Sequence, residues 1–406
     1  MKVLGIISEY NPFHKGHLYH LEESKRRTGA DFVVSVMSGQ FVQRGEPAIA
    51  DKWTRARSAI ECGVDLVLEL PFVYACNSAE YFAYGGISIL EGLGCVDYVS
   101  FGSESGNIDE LKEIAEILVK EPTELKELLK KHLDEGFSYA RSWGMAIESY
   151  AGESASKIIR EPNNILALEY LKRMVKSDSH IEPITVPRTG NPHNSDEPSC
   201  DYASATALRK KFFEQGSVDG FLDYMPIGSY KNFAKSETRC NIQMEDLFSV
   251  IASEILRTSS KDLAKIFSVT EGLENRLKSE VRNATNMEEL IQKVNSKRYV
   301  KTKIQRMLMH ILVHLDRDSL ESIIDKRILY GRILAMNGNG AKLLKTIKKT
   351  KCAKIPLITN INKDVRDDSL LWASLNYDIL ATDLFNLSSG NSLYAGADYI
   401  VKPVKI

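Results

Sequence analysis

Residues 2–18 read Lys2-Val3-Leu4-Gly5-Ile6-Ile7-Ser8-Glu9-Tyr10-Asn11-Pro12-Phe13-His14-Lys15-Gly16-His17-Leu18. An apolar, β-branched run enters a polar turn, and helix-forming residues follow at once. The pattern predicts a strand (Val3–Ser8), a tight loop and a helix from about His17 to Arg27. A helix start presents unpaired N–H groups and a positive dipole end, and a glycine lets the backbone approach a ligand closely. Two imidazoles at i and i+3 flank that position. The arrangement suits a polyphosphate such as that of ATP, with His14 and His17 donating to the phosphorus centre as charge builds there. Two surface histidines would spell the same letters, and a metal pair would need a third ligand.

The pattern repeats outward from this loop. Phe32–Met37, Val64–Leu68 and Val96–Phe101 are predicted strands, separated by helices at Trp53–Cys62 and Ala79–Leu90. Continuous apolar strands alternating with helices predict an α/β fold, a Rossmann-like parallel sheet covered on both faces. Residues 109–176 read as mostly helical, broken near Glu161-Pro162-Asn163-Asn164. Ile184–Val186 reads as a fifth strand ending at Pro187-Arg188-Thr189-Gly190, 191–201 as a polar loop, and a helix begins at Ser204 and runs to about Gln215. These elements define an expected catalytic domain at 1–235. From about 240 to 330 apolar residues recur at three- and four-residue spacing, so 236–406 is expected to be a mostly helical, basic domain with a small α/β tail. Short tail strands are expected at Lys354–Asn360 and Tyr377–Asp383.

The chain has 406 residues, 43% apolar and 26% charged, which is ordinary for a globular protein with two or three cores. No uncharged apolar run reaches about 18 residues and no signal-peptide layout opens the chain, so a cytoplasmic protein with no membrane partner is expected. The six cysteines are scattered without a C-x-x-C pair, suggesting neither a zinc ribbon nor a disulfide framework. The net charge of −1 conceals a basic block, because residues 291–354 carry 16 Lys/Arg against 4 Asp/Glu. Such a block fits a polyanion; solvated helix faces are the plainer alternative. Within it Lys297, Arg298, Lys301, Lys303 and Arg306 are spaced to share a helix face, and Lys345, Lys348 and Lys349 belong to a second cluster, with Lys342 and Lys351. Tyr299 or Tyr330 would be available to stack on an unpaired base, although a core-edge role is commoner for tyrosine.

A second phosphate-binding candidate is Ser204-Ala205-Thr206-Ala207-Leu208-Arg209. Hydroxyls at a helix start cap the helix or bond phosphate, and Arg209 lies one turn on. Arg44, in a glycine-flanked loop with Gln40, Gln43 and Glu46, is a further candidate for a carboxylate or phosphate, and Lys15 for phosphate. By periodicity His20 falls on the helix surface.

His14-Lys15-Gly16-His17 and Ser204–Arg209 resemble the HxGH and SSTxxR-type motifs of the nucleotidylyltransferase superfamily, with Ala205 where a second serine is usual. Glu9–His14, Met37–Pro47, Phe101-Gly102-Ser103-Glu104, Pro162–Leu166 and Pro187-Arg188-Thr189 are similar to segments of the bacterial tRNA(Met) cytidine acetate ligase family. The resemblance implies an enzyme that activates acetate with ATP as acetyl-adenylate and passes the acetyl group to N4 of the wobble cytidine of elongator tRNA(Met). It places ATP along Ile7, Ser8, Glu9, Tyr10, Asn11, Pro12, Phe13, His14, Lys15, Gly16, His17, Leu18, Tyr19 and His20. It adds Gly102, Asn163 and Arg188, with Ser204, Thr206 and Arg209 on the leaving pyrophosphate. Mg²⁺ is expected to accompany the nucleotide, with no dedicated protein metal site; tRNA and acetate are the expected partners, and no DNA. The competing readings are a nucleotidylyltransferase acting on a small phosphorylated metabolite and a non-catalytic RNA-binding protein. The basic region speaks against the first, and intact His14, Gly16 and His17 against the second.

Overall fold

The computed structural model describes residues 1–188, 203–235, 242–296, 299–365, 369–389 and 396–406. Five strands form a parallel frame: β1 (Val3–Ser8), β2 (Phe32–Ser38), β3 (Leu66–Leu70), β4 (Tyr98–Ser103) and β5 (Glu182–Pro187). Their spatial order is β5-β4-β1-β2-β3. The chain leaves β1 in one direction through β2 and β3, then returns to its other side with β4. The switch therefore lies between β1 and β4, where doubly wound sheets open a crevice at the carboxyl ends of the strands.

Period-two alternation sorts these strands into two cores. Val3, Val34, Val36, Leu66 and Leu68 face one layer, packed with Phe82, Ile87 and Leu90 of helix Ala79–Leu93 and with Ala167, Leu168 and Leu171 of helix Pro162–Ser177. Leu4, Ile6, Val33, Met37 and Val67 face the other, against Leu21 of helix Lys15–Thr28 and Ala56, Ala59 and Ile60 of helix Lys52–Glu61. All five predicted strands of this half are present, shifted by at most a few residues.

The C-terminal part does not form a sheet of its own. Strand β6 (Gly331–Met336) pairs antiparallel with β3, Leu66 lying opposite Met336. Strands β7 (Leu357–Ile358) and β8 (Val404–Lys405) then pair with β6, giving one eight-stranded sheet. The sequence signal for β6 is submerged in the expected helical region and its tail. Tyr377–Asp383, expected as a strand, lies inside helix Ser369–Ser388. There Leu371, Leu375, Asp378, Ile379 and Thr382 are all buried, a helical period that a seven-residue window cannot display.

A buried ionic cluster ties the tail to the parallel frame. Lys52 Nζ lies 2.7 Å from Glu69 and 2.8 Å from Asp398, while Arg332 lies 3.1 Å from Glu69 and 2.6 Å from Asp398. Lys52 and Glu69 come from the frame, Arg332 from β6 and Asp398 from the last helical turn. Nearby, Asp378 accepts from Phe72 N at 2.6 Å and from the Tyr330 hydroxyl at 2.5 Å. Tyr330 is thus fully buried and is not available for stacking on a base. Among the described residues, no helix is long and apolar enough to cross a membrane.

Candidate active site

The β1 loop ends on helix Lys15–Thr28, and His14 is its N-cap residue. The His14 and His17 rings stack with centroids 3.7 Å apart. The His14 backbone N–H donates to His17 Nδ1 at 3.3 Å. A neutral ring that accepts at Nδ1 carries its proton on Nε2, so the far nitrogen of His17 is a donor. Burial, followed by the charges of His14, Arg188 and His20, holds His17 well below the ordinary imidazole range. Gly16 has a steric task, since a Cβ there would lie 2.9 Å from His14 Cε1. Tyr10, at φ 45°, is held by ring contacts to Phe13 (4.6 Å) and His17 (5.1 Å).

These groups open onto a cavity of about 290 Å³ at the β1/β4 switch. Of the sequence-predicted residues, Ile7, Ser8, Glu9, Tyr10, His14, Gly16, His17, Tyr19, His20, Gly102, Asn163, Arg188, Ser204, Thr206 and Arg209 line it. Asn11, Phe13, Lys15 and Leu18 support the loop from behind, and Pro12 is buried without lining the cavity. Asn11 Oδ1 accepts from Ile49 N at 2.7 Å, the Phe13 carbonyl accepts from Ser229 at 2.8 Å, Lys15 N donates to Tyr224 O at 2.8 Å, and Leu18 packs into the second core. His20 lines the cavity as well; its Nε2 lies 3.0 Å from Ser100 Oγ, and burial together with Arg188 lowers it to about 4.

The walls differ in chemistry. Phe82, Phe101, Leu166, Ala167 and Tyr170 form an apolar slot beside Gly102 and Asn163. Gly102 lets Arg188 lie across β4, where a Cβ would sit 3.3 Å from its Nε. Glu104 accepts from Asn163 Nδ2 at 2.5 Å and from Asn164 N at 2.8 Å, fixing the start of helix Pro162–Ser177 against β4. Asn163 is therefore inside the helix rather than its cap, because Pro162 occupies the first turn.

The opposite wall is cationic. Ser204 caps helix Ala205–Gln215 by accepting from Ala207 N at 3.1 Å, and it lines the cavity. Arg209 donates to the Asn11 carbonyl at 2.9 Å and lies 3.4 Å from Thr206 Oγ1. Burial lowers Arg209, opposed by Glu46 and Glu9. Burial likewise raises the Glu9 carboxyl, opposed by the Gln43 N–H and the Arg209, Arg44 and Arg55 charges. Gln43 and Arg44 line the cavity from the β2 loop, bringing that secondary candidate into the site. Arg55, anchored on the carbonyls of Glu9, Ser38, Gly39 and Ala50, holds both loops together. Sequence reading missed Arg55, Glu104 and the apolar slot; their contributions come from residues distant along the chain.

The proposed RNA-contacting residues are dispersed. Lys297 and Arg298 lie outside the described residues, as do Thr189 of the Pro187-Arg188-Thr189 segment and the predicted polar loop at 191–201. Lys301 pairs with Glu288 at 3.0 Å, and Lys303 lies 4.4 Å above the Tyr299 ring. Arg306 faces inward, donating to the Gln43 carbonyl at 3.3 Å. Lys345, Lys348 and Lys349 are exposed on helix Gly338–Thr350. That helix is pinned beside Asp65 at one end and Gly94 at the other, at the amino edge of the sheet, opposite the cavity. Among the described residues, no group of three His, Cys, Asp or Glu side chains is gathered to hold a metal ion.

Comparison with known proteins supplies the family. The family described as HIGH Nucleotidyl Transferase matches residues 1–397. The chain is 42% identical to a tRNA(Met) cytidine acetate ligase of Acetivibrio thermocellus, over 98% of this chain and 97% of the relative. It is 40% identical to a protein of the same name from Thermoanaerobacter sp., over 100% of both. Among solved structures, Thermotoga maritima TmcAL bound with alpha-thio ATP superposes with a TM-score of 0.91 at 31% identity, and the apo form with 0.93 at 30%, each covering 100% of both chains.

Proposed function

Since this chain belongs to the HIGH nucleotidyl transferases, in the family of the tRNA(Met) cytidine acetate ligases, we infer that it activates acetate with ATP and acetylates N4 of the wobble cytidine of elongator tRNA(Met). The observation that carries the chemistry is the cavity at the β1/β4 switch, with stacked His14 and His17 on one side and Ser204, Thr206 and Arg209 on the other. The apolar slot beside Gly102, Asn163 and Arg188 accommodates a base. The histidines then lie at the α-phosphate and the Ser204–Arg209 helix start at the β- and γ-phosphates.

An acetate oxygen attacks the α-phosphorus, the bond to the β-phosphate bridging oxygen breaks, and pyrophosphate leaves with the electron pair. Positioning and charge stabilisation dominate such a step. His17 donates from Nε2 to the α-phosphate oxygens. The site holds this ring neutral until the nucleotide brings negative charge, which favours the protonated form. Arg209 takes the charge developing on pyrophosphate. Arg44, which lines the cavity from the β2 loop, is the candidate cation for the acetate carboxylate. Mg²⁺ carried in with ATP would neutralise charge on the polyphosphate; no residue of this chain is assigned to hold it. In the second step the cytidine amine attacks the acetyl carbonyl, AMP departs and the amine loses a proton.

Residues 1–235 supply the catalytic groups in this reading, and 236–406 the RNA-engaging surface, in the cytoplasm where tRNA is found. Lys301, Lys303, Lys345, Lys348 and Lys349 serve the phosphate backbone, and Arg306 marks the junction with the active site. The test is incubation with ATP, labelled acetate and unmodified tRNA(Met), followed by nucleoside analysis. Labelled N4-acetylcytidine with stoichiometric AMP and pyrophosphate is expected. Pyrophosphate released only with a phosphorylated metabolite, and no acetylcytidine, would overturn it.

A further inference from the structure

Gln305 belongs to helix Lys301–Leu312, more than 250 residues from the first loop, yet its amide reaches the cationic wall of the cavity. Its Nε2 donates to Glu46 Oε1 at 3.0 Å. The other Glu46 oxygen faces Arg209 Nη2 at 3.7 Å. Arg209 in turn donates from Nη1 to the Asn11 carbonyl, 2.9 Å away on the β1 loop. A carboxylate only accepts, so the Gln305 amide is obliged to present its NH₂ group to Glu46. With 3% of its surface exposed, Gln305 has little room to do anything else.

The loop bearing Glu46 is fitted to this helix. Gly45 adopts φ 78°, and a Cβ there would collide with the Arg306 backbone N. Arg306 Nη1 fastens the β2 loop just before it, through the Gln43 carbonyl at 3.3 Å. Gln305 and Arg306 therefore hold both sides of Gly45. The carboxylate they fix stands at a distance from Arg209 that is longer than a charge-assisted hydrogen bond, about 2.7–2.9 Å. At 3.7 Å Glu46 offsets the charge of a largely enclosed guanidinium without occupying its donors.

We propose that Gln305 is a positioning residue of the adenylation site: by holding Glu46 back, it keeps the Arg209 donors available to the leaving pyrophosphate. The proposal rests on the reading of Arg209 as a pyrophosphate ligand. Without the amide, Glu46 closes on Arg209 as a bidentate pair and competes with the phosphates.

Acetate-dependent ATP–pyrophosphate exchange by the full chain is the assay. Gln305→Met, similar in volume but without the donor, is expected to raise KM for pyrophosphate about 5- to 10-fold, the worth of one ordinary hydrogen bond. KM for acetate should stay within about twofold, and the melting temperature should show a folded protein. Gln305→Asn keeps the amide but cannot reach Glu46, and should act in the same direction if Gln305→Met folds poorly. In an Arg209→Ala background the Gln305→Met effect should vanish. A persisting effect in that background, equal movement of the acetate and pyrophosphate constants, or no effect at all overturns the proposal. Should Arg209→Ala itself leave the pyrophosphate dependence unchanged, the ligand assignment of Arg209 fails. The proposal then fails with it, while formation of labelled N4-acetylcytidine still tests the ligase reading separately.

Discussion

The loop after β1 and the basic segment 291–354 are the two stretches whose side chains suggest a polyanion, and the fold treats them in opposite ways. In the loop, His14 and His17 sit within one helical turn and end with rings stacked at 3.7 Å. In the basic segment, the cations among the described residues go to separate partners. Arg332 is buried between Glu69 and Asp398, Arg306 turns to the β2 loop, and Lys301 pairs with Glu288. Lys345, Lys348 and Lys349 do share an exposed surface, at the far edge of the sheet from the cavity. Sequence spacing fixes geometry over one turn of helix. Beyond that, charge follows whichever partner burial supplies.

The sharpest way to break this contrast is His14→Ala. It should lower acetate-dependent pyrophosphate exchange by about 10²–10³-fold, as loss of a donor to a developing oxyanion does. tRNA affinity in a filter-binding titration should remain within about twofold. Parallel loss of both would show that loop and basic segment are not separable.

Lys52→Met addresses the buried cluster that joins the two parts. It leaves Glu69, Arg332 and Asp398 with unbalanced charge in a site from which water is excluded, so a loss of about 3–5 kcal/mol is expected in a denaturant titration. A change below about 1 kcal/mol would mean that the tail is held mainly by β6 pairing and apolar packing.

Charge reversal of Lys345, Lys348 and Lys349 together tests whether the far edge meets RNA. The slope of log K against log salt should fall by about 2–3, near 0.7–0.9 for each phosphate no longer neutralised. Acetate-dependent exchange should be untouched. An unchanged slope would confine RNA engagement to the cavity side.

The smallest effect concerns Asp378, whose carboxyl is pushed up to about 7, chiefly by burial and then by Glu69. Its folded value exceeds its unfolded one, so the unfolded chain binds fewer protons between about pH 4 and 7. This residue therefore makes stability decline as pH rises through that interval. Asp378→Asn keeps an acceptor for Phe72 N and should flatten that decline in melting temperature. An unaltered pH profile would assign the dependence to other members of the cluster.

The legibility of this chain follows the range of the interactions concerned. The parallel frame can be read because each of its strands is a short apolar run bounded by turn residues, and the helices between them carry their own period. His14, Gly16 and His17 can be read because one loop and one helix start contain the whole arrangement. The Ser204–Arg209 start is visible as a cap, and its place opposite the histidines comes from the fold. Strand β6 is not legible, since its six residues follow a helical stretch and its partner, β3, lies about 260 positions earlier. Tyr377–Asp383 looks like a strand because its helical period emerges only over the twenty residues of its helix. Neither the Glu104 clasp on Asn163 and Asn164 nor the Gln305–Glu46–Arg209 chain has a local signature.

By itself, the sequence determined an α/β sheet opening with a phosphate-binding loop, and the identities of its two histidines. Hydrophobic period and helix-start chemistry act over a few residues, so they survive in the linear order. Only the tertiary structure decided that the C-terminal region completes the same sheet, that a buried Lys52–Glu69–Arg332–Asp398 cluster locks it there, and that Gln305 reaches the first loop's arginine partner. Those outcomes depend on charges and backbone edges that find partners hundreds of residues away, where desolvation makes each pairing obligatory.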